Sequence, residues 1–310
     1  ISVIMREVIG YIREYFRWVD KAILVGCILF TAALVGLNYG QDLEYHLINS
    51  LGLPYGSITG RMVLFGMAFI VPYLIIRMKR QPHYFRNKGF LLCLLLAPVF
   101  FALKAGSILS FPASADPHWN QYWNDVANWP VRLAILVALL FACWRIFHRG
   151  ESFYGLSARE FKPGPYLGML AIMVPLILLA STQPDFQAVY PKLKEVIPLP
   201  AGATPSWFYK LLFELSYGGD FFSIEIFFRG MLVVGFMRWA GKDAILPMAC
   251  FYCSIHFGKP MGECISSFFG GMLLGIVSYH TRSIYGGLIV HLGIAWLMEL
   301  GGYLGNLYKW

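Results

Sequence analysis

Nine apolar stretches, at 21–39, 60–78, 89–109, 130–147, 165–182, 207–237, 243–257, 264–280 and 284–300, follow one another with charged residues between them. A helix needs about 20 apolar residues to cross the roughly 30 Å hydrocarbon layer, and most of these stretches come close to that length. Inside a bilayer the backbone must satisfy its own hydrogen bonds, so such runs fold as helices. The sequence therefore predicts an all-α, polytopic transmembrane bundle of about nine helices, with Gly218-Gly219 as a point where the long 207–237 element would divide in two. Only 14% of the residues are charged, against about 25% in soluble domains. That excludes extracellular disulfide scaffolds, disorder, collagen-like fibres and soluble nucleic-acid-binding folds.

The excess of 25 Lys and Arg over 17 Asp and Glu is explained by where the cations lie. With a cytoplasmic N-terminus, 16 of the 25 fall on one side: Arg6, Arg13, Arg17, Lys21; Arg77, Lys79, Arg80, Arg86, Lys88; Arg145, Arg149, Arg159, Lys162; Arg238, Lys242; and Arg282. The opposite loops at 40–60 and 110–131 have no Lys or Arg and carry Asp42, Glu44, His46, Asp116, His118 and Asp125. This is the positive-inside pattern. Topology and contact with anionic lipid account for the charge, and no nucleic-acid partner is needed. The expected location is the bacterial inner (plasma) membrane.

Residues 1–20 interleave Arg6, Arg13 and Arg17 with Tyr11, Phe16 and Trp18 and lack the apolar core of a cleavable signal peptide, so they read as an amphipathic interfacial helix. The expected organisation is that helix, a four-helix transmembrane region at 21–150, a second transmembrane region at 155–300 and a tail at 301–310. A proline-rich segment at 183–206 (Pro184, Pro191, Pro198, Pro200, Pro205) lies before the most polar spans. The six cysteines, the Cys250-x-x-Cys253 pair included, sit mostly in apolar spans and read as small hydrophobes. Aromatic residues near span ends, such as Tyr122, Trp123, Trp129, Trp207 and Trp310, read as interfacial belts.

The first five spans read as nearly free of internal charge, whereas the last four carry Glu214, Asp220, Glu225, Arg229, His256, Glu263, His291 and Glu299. Ionisable groups at membrane depth are costly and mark functional sites by default. Glu225 and Arg229 are four residues apart, on one helical face, where the guanidinium can hold the carboxylate ionised. The same pair would also serve as a purely structural ion pair. Glu214 lies three turns earlier on nearly the same face. His256 stands where Gly258, Pro260 and Gly262 interrupt an apolar span, and such breaks line cavities or are buried in protein. His291 falls at a depth similar to that of Glu225, with Glu299 two turns beyond. A glutamate beside two imidazoles can activate water, stabilise an oxyanion and protonate a leaving amine, or it can ligate zinc as His₂Glu.

These residues resemble the CAAX prenyl protease and bacteriocin-processing (CPBP, ABI) family of intramembrane endopeptidases over roughly residues 155–300. The family's Glu-Glu-x-x-x-Arg motif is matched by Glu225 and Arg229, its Phe-x-x-x-His by Tyr252 and His256, and its His-x-x-x-Asn/Asp by His291. Ile224 stands where the family has its first glutamate and Ala295 where it has an amide or carboxylate. The resemblance implies peptide-bond hydrolysis in a membrane cavity, with Glu225 as general base, His256 and His291 for oxyanion stabilisation or zinc ligation, and Arg229 holding Glu225 ionised. Glu214, Glu263 and Glu299 are substitutes for the missing carboxylate. The implied partners are a peptide or membrane-protein substrate and the bilayer. The alternative is a catalytically degenerate member acting as a membrane scaffold, immunity protein or accessory subunit of a membrane complex. A third class, a proton-coupled carrier, finds no inverted repeat to support it.

Overall fold

The chain is an integral membrane protein of helices. The structure, a computed structural model, describes residues 3–49, 52, 55–107, 109–158, 161, 163–195 and 207–308. Among these the only β-type contact is a single bridge between Arg149 and Glu151. The helices are α1 (Val3–Trp18), α2 (Lys21–Gln41), α3 (Leu43–Asn49), α4 (Tyr55–Arg80), α5 (Lys88–Gly106), α6 (Pro117–Cys143), α7 (Gly164–Ala180), α8 (Pro184–Val189), α9 (Trp207–Glu225), α10 (Met237–Ala240), α11 (Ile245–Ser254), α12 (Met261–Thr281) and α13 (Tyr285–Tyr308). Among the described residues six helices are long and apolar enough to cross a membrane: those starting at Lys21, Gly56, Lys88, Pro117, Met261 and Tyr285. A shorter apolar helix runs over Tyr166–Ala180. Of the expected features, Arg159, Lys162, Pro198, Pro200, Pro205 and Trp310 lie outside the described residues.

Each of the nine apolar stretches has a helical counterpart, but two boundaries and one break differ for local reasons, and two short helices are added. α6 begins at Pro117 rather than near residue 130, because Asp116 caps it by accepting from the backbone of His118 and Trp119, and proline suits the first helical turn. Within that polar extension Asn124 and Asn128 bond the backbone of Phe111 and Leu109, which fastens the preceding loop. α13 continues through Gly301-Gly302 to Tyr308, and Asn306 on its last turns donates to the Tyr190 carbonyl at 2.9 Å. The expected tail is therefore helix as far as it is described. α3 and α8 fill stretches that read as loops.

The long element does not break at Gly218-Gly219. α9 is continuous through both glycines, and the irregularity comes later, in a ten-residue π-helical stretch over Ile226–Gly235. π-helical segments are rare and gather at functional sites. The opposite surprise is α11. All ten of its residues are buried, and at 1.5 Å per residue it is only about 15 Å long, half a membrane crossing. It is a core helix, buried all round.

One hydrophobic core joins the two halves of the chain. Phe65 and Phe69 of α4 and Phe101 of α5 pack their rings on Phe251 of α11 at 5.1, 5.6 and 5.9 Å, and Phe101 also meets Phe227 at 4.9 Å. The cation-bearing ends meet at one end of the bundle. Lys242 pairs with Glu14, Arg80 with Asp243 at 3.1 Å, and Tyr11 stacks on His280 at 4.4 Å.

Candidate functional site

Glu225 is the last residue of α9, and Arg229 lies in the first turn of the π-helical stretch that follows. Both side chains are fully buried, with Arg229 Nη1 3.0 Å from Glu225 Oε1. The pair is close in distance without hydrogen-bond alignment. The guanidinium instead lies face-on over the Tyr252 ring, 4.2 Å from its centroid. Charge pairing and cation–π contact thus hold the same cation from two helices.

Helix α13 brings His291 to the same carboxylate oxygen, with Nδ1 3.0 Å from Glu225 Oε1. A carboxylate accepts, so Nδ1–H donates, which leaves Nε2 as the acceptor nitrogen of the neutral ring. Nε2 faces the Tyr252 hydroxyl at 3.1 Å. Phe221, one turn before Glu225, closes edge-on against the imidazole at 4.7 Å. The result is a relay across three helices, Arg229–Glu225–His291–Tyr252. His291 retains 12% side-chain exposure where Glu225 and Arg229 have none, so the imidazole is the more approachable end.

His256 sits in the turn after α11. Its Nδ1 is 2.9 Å from the Tyr252 carbonyl, which can only accept, so Nδ1 bears the proton and Nε2 is free to accept. Its ring packs against Tyr252 at 4.8 Å, while the His291 ring lies 5.9 Å from Tyr252 on its other contact. Tyr252 thus touches both histidines.

Two glycines make room for this arrangement. A Cβ on Gly287 of α13 would come 2.2 Å from Glu225 Oε2, and one on Gly271 of α12 would come 2.7 Å from the Tyr252 ring. Any side chain there would displace the carboxylate or the ring. Gly287 also explains the state of Oε2, which makes no hydrogen bond among the described residues. It is turned against the α13 backbone.

Two of the three substitute carboxylates are bonded elsewhere, and none is placed at the site. Glu263 takes Lys259 at 2.6 Å and the Tyr190 hydroxyl at 3.2 Å. Glu299 accepts the Lys192 backbone N–H at 2.9 Å. Glu214 Oε2 has no hydrogen-bond partner among the described residues. Helical rise explains why Glu214 and Glu299 do not reach the site: Glu214 lies about 16 Å along α9 from Glu225, and Glu299 about 12 Å along α13 from His291. The position beside Glu225 belongs to Ile224, a partly buried side chain packed against the core.

The residues do not fit a zinc ion. Glu225 Oε1 is shared by a guanidinium and an imidazole N–H, His291 offers its Nε2 to a tyrosine hydroxyl, and a cation beside Arg229 would be repelled. Among the described residues no three His, Cys, Asp or Glu side chains form a metal-holding group.

Two polar residues escaped the sequence reading. Tyr252 reads as a mild replacement for Phe, yet its hydroxyl completes the relay. Lys104 makes the early spans less charge-free than they read. It is buried in α5 and pairs with Asp220 of α9 at 2.7 Å. A lysine inside a leucine-rich run was the available signal.

Residues 207–297 match the family model described as type II CAAX prenyl endopeptidase, Rce1-like. The matched segment starts at the first residue of α9 and contains Glu225, Arg229, Tyr252, His256 and His291, so the resemblance carried by the three motifs is shown for this part of the chain. Comparison with curated proteins gives no match, and comparison with solved structures gives none.

Proposed function

We propose that the protein is an intramembrane endopeptidase in which His291, oriented by Glu225, is the general base. The observation that carries this reading is the 3.0 Å contact from His291 Nδ1 to Glu225 Oε1 inside the segment matched by the family model. That contact fixes the tautomer with Nε2 as acceptor, the role a buried carboxylate plays toward histidine in hydrolases. It also favours His291 over Glu225, the base that the resemblance implies, because Oε1 is engaged and Oε2 is turned against Gly287.

In this reading a water takes the place of the Tyr252 hydroxyl at Nε2. Nε2 removes its proton as the water oxygen attacks the scissile carbonyl carbon. The Tyr252 O–H donates to the oxygen on which charge develops, and Arg229 compensates Glu225 throughout. When the tetrahedral intermediate collapses, the carbon–nitrogen bond breaks and the His291 imidazolium returns its proton to the leaving amine. His256, with Nε2 free, orients the incoming water. The substrate is a peptide or membrane-protein segment that enters from the membrane or from the cation-rich face, which is cytoplasmic in a bacterial inner membrane.

A second reading rests on Ile224. With an apolar side chain where the resemblance expects a glutamate, the relay would be a structural clamp, and the protein a scaffold or accessory subunit of a membrane complex.

The two separate in proteoliposomes holding the full chain, assayed with a quenched fluorogenic farnesylated Cys-aliphatic-aliphatic-X peptide and with a mixture of unprenylated peptides. The enzyme reading expects cleavage per folded molecule, the folded fraction taken from gel filtration and circular dichroism, to fall by about 10²–10⁴ in Glu225→Gln and His291→Ala. Cleavage unaffected by both substitutions would refute it. Absence of cleavage of any peptide, with the fold intact, would favour the clamp.

A further inference from the structure

A stripe on α1 is built for a phosphate. Arg6, Gly10, Arg13 and Arg17 recur at helical spacing and so share one face. Two shallow surface grooves open along that face and share Gly10 and Arg13. Arg6 and Ile9 line one, and Arg17, Trp18 and Lys242 line the other. Gly10 supplies the notch between them, since a Cβ there would meet nothing within 4 Å.

The charge balance is one-sided. The only carboxylate lining either groove among the described residues is Glu14, and it is bonded to Lys242. The three arginines remain as excess positive charge. Around them are apolar groups open to the surroundings: Ile9 at 42% and Phe16 at 42% exposure. The other face of α1 is fixed to the bundle through fully buried Tyr15 and the Tyr11–His280 stack. A helix that presents arginines and bulky apolar side chains together, held at the cation-rich end of the spans, lies at headgroup level.

We propose that this face binds the phosphodiester headgroup of an anionic phospholipid, with the phosphate between Arg13 and Arg17 and the acyl chains beside Ile9 and Phe16. A soluble anion would use the arginines alone and would leave the exposed apolar groups without a role, which is why the lipid is the occupant.

The test is a lipid titration of the purified full chain by native mass spectrometry, with phosphatidylglycerol against phosphatidylcholine. Wild type is expected to bind phosphatidylglycerol about tenfold or more tightly than phosphatidylcholine, and Arg13→Gln/Arg17→Gln to lose about 20-fold, near fivefold per arginine. Arg13→Lys/Arg17→Lys, which keeps the charge, should stay within about threefold of wild type, as should the remote Arg149→Gln. Equal affinity for the two lipids, an unaffected Gln double variant, or an equal loss in Arg149→Gln would overturn the proposal. Displacement of the lipid by millimolar glycerol 3-phosphate as effectively as by phosphatidylglycerol would overturn it in favour of a soluble anion.

Discussion

Helices α4 and α5, and the π-helical stretch together with α13, reach the same short core helix, yet only the second pair brings it ionisable groups. α4 and α5 give α11 a jacket of rings, Phe65, Phe69 and Phe101 around Phe251. The neighbouring residue Tyr252 turns the other way, toward Arg229 and His291. One helix therefore has a dry side and a polar side, and the polar side is where the family match lies. The contrast shows how ionisable groups are kept at membrane depth. They are pooled on one side and share partners, while the other side contributes chiefly apolar area, with Lys104 as its buried cation.

The sharpest way to break the contrast is to remove the cation from the polar side. Arg229→Ala leaves Glu225 buried without its countercharge and should cost about 3–5 kcal/mol, read as loss of folded protein in detergent by thermal unfolding. Conversion of the polar side to an apolar one by Glu225→Met/Arg229→Met should recover most of that stability while abolishing any cleavage. A folded Arg229→Ala would mean that the pair is solvated.

The exception on the apolar side is milder. Lys104→Met leaves Asp220, which keeps 20% side-chain exposure, and should cost about 1–3 kcal/mol by the same measurement. A cost equal to that of Arg229→Ala would erase the distinction between the two regions. Tyr252→Phe removes one hydroxyl from the polar side. It should lower stability by only about 1 kcal/mol but slow peptide cleavage by about 100-fold if the hydroxyl serves the oxyanion.

The smallest effect belongs to α1. The hydrogen bond from Lys242 holds the Glu14 carboxyl below its ordinary value. A depressed carboxylate stabilises the fold above its unfolded pKa, and that contribution is lost as pH falls through the folded value. Acidification from pH 6 toward pH 3 should raise hydrogen exchange in α1 by no more than about threefold, with little change in α11. Equal loosening of both would point to global unfolding.

The ladder of spans was legible because apolar length is a direct consequence of bilayer thickness. Its ends were less so, since Asp116-Pro117 starts a helix through polar residues, and Gly301-Gly302 fails to stop one that Asn306 ties to Tyr190. In the site, Glu225 and Arg229 were readable from helical spacing alone. The imidazole of His291 was placed by depth, but its choice of oxygen was not, because α9 and α13 are 66 positions apart at that contact. The role of Tyr252 depends on a partner in another helix, which composition does not record. Glu263 and Glu299 read as spare catalytic groups because their partners, Lys259, Tyr190 and the Lys192 backbone, lie in turns and loops or past them.

The Lys104–Asp220 pair also sets an order of events in the making of the chain. The lysine emerges from the ribosome roughly 115 residues ahead of its carboxylate, an interval of roughly 6–20 s at ordinary elongation rates. A lysine deep in a helix costs about 3 kcal/mol to insert. Lys104 stands two residues from the end of α5, close enough for its long side chain to reach the headgroups during that interval. The ion pair itself needs α9, so the burial of Lys104 in the first half of the chain is completed by a helix from the second.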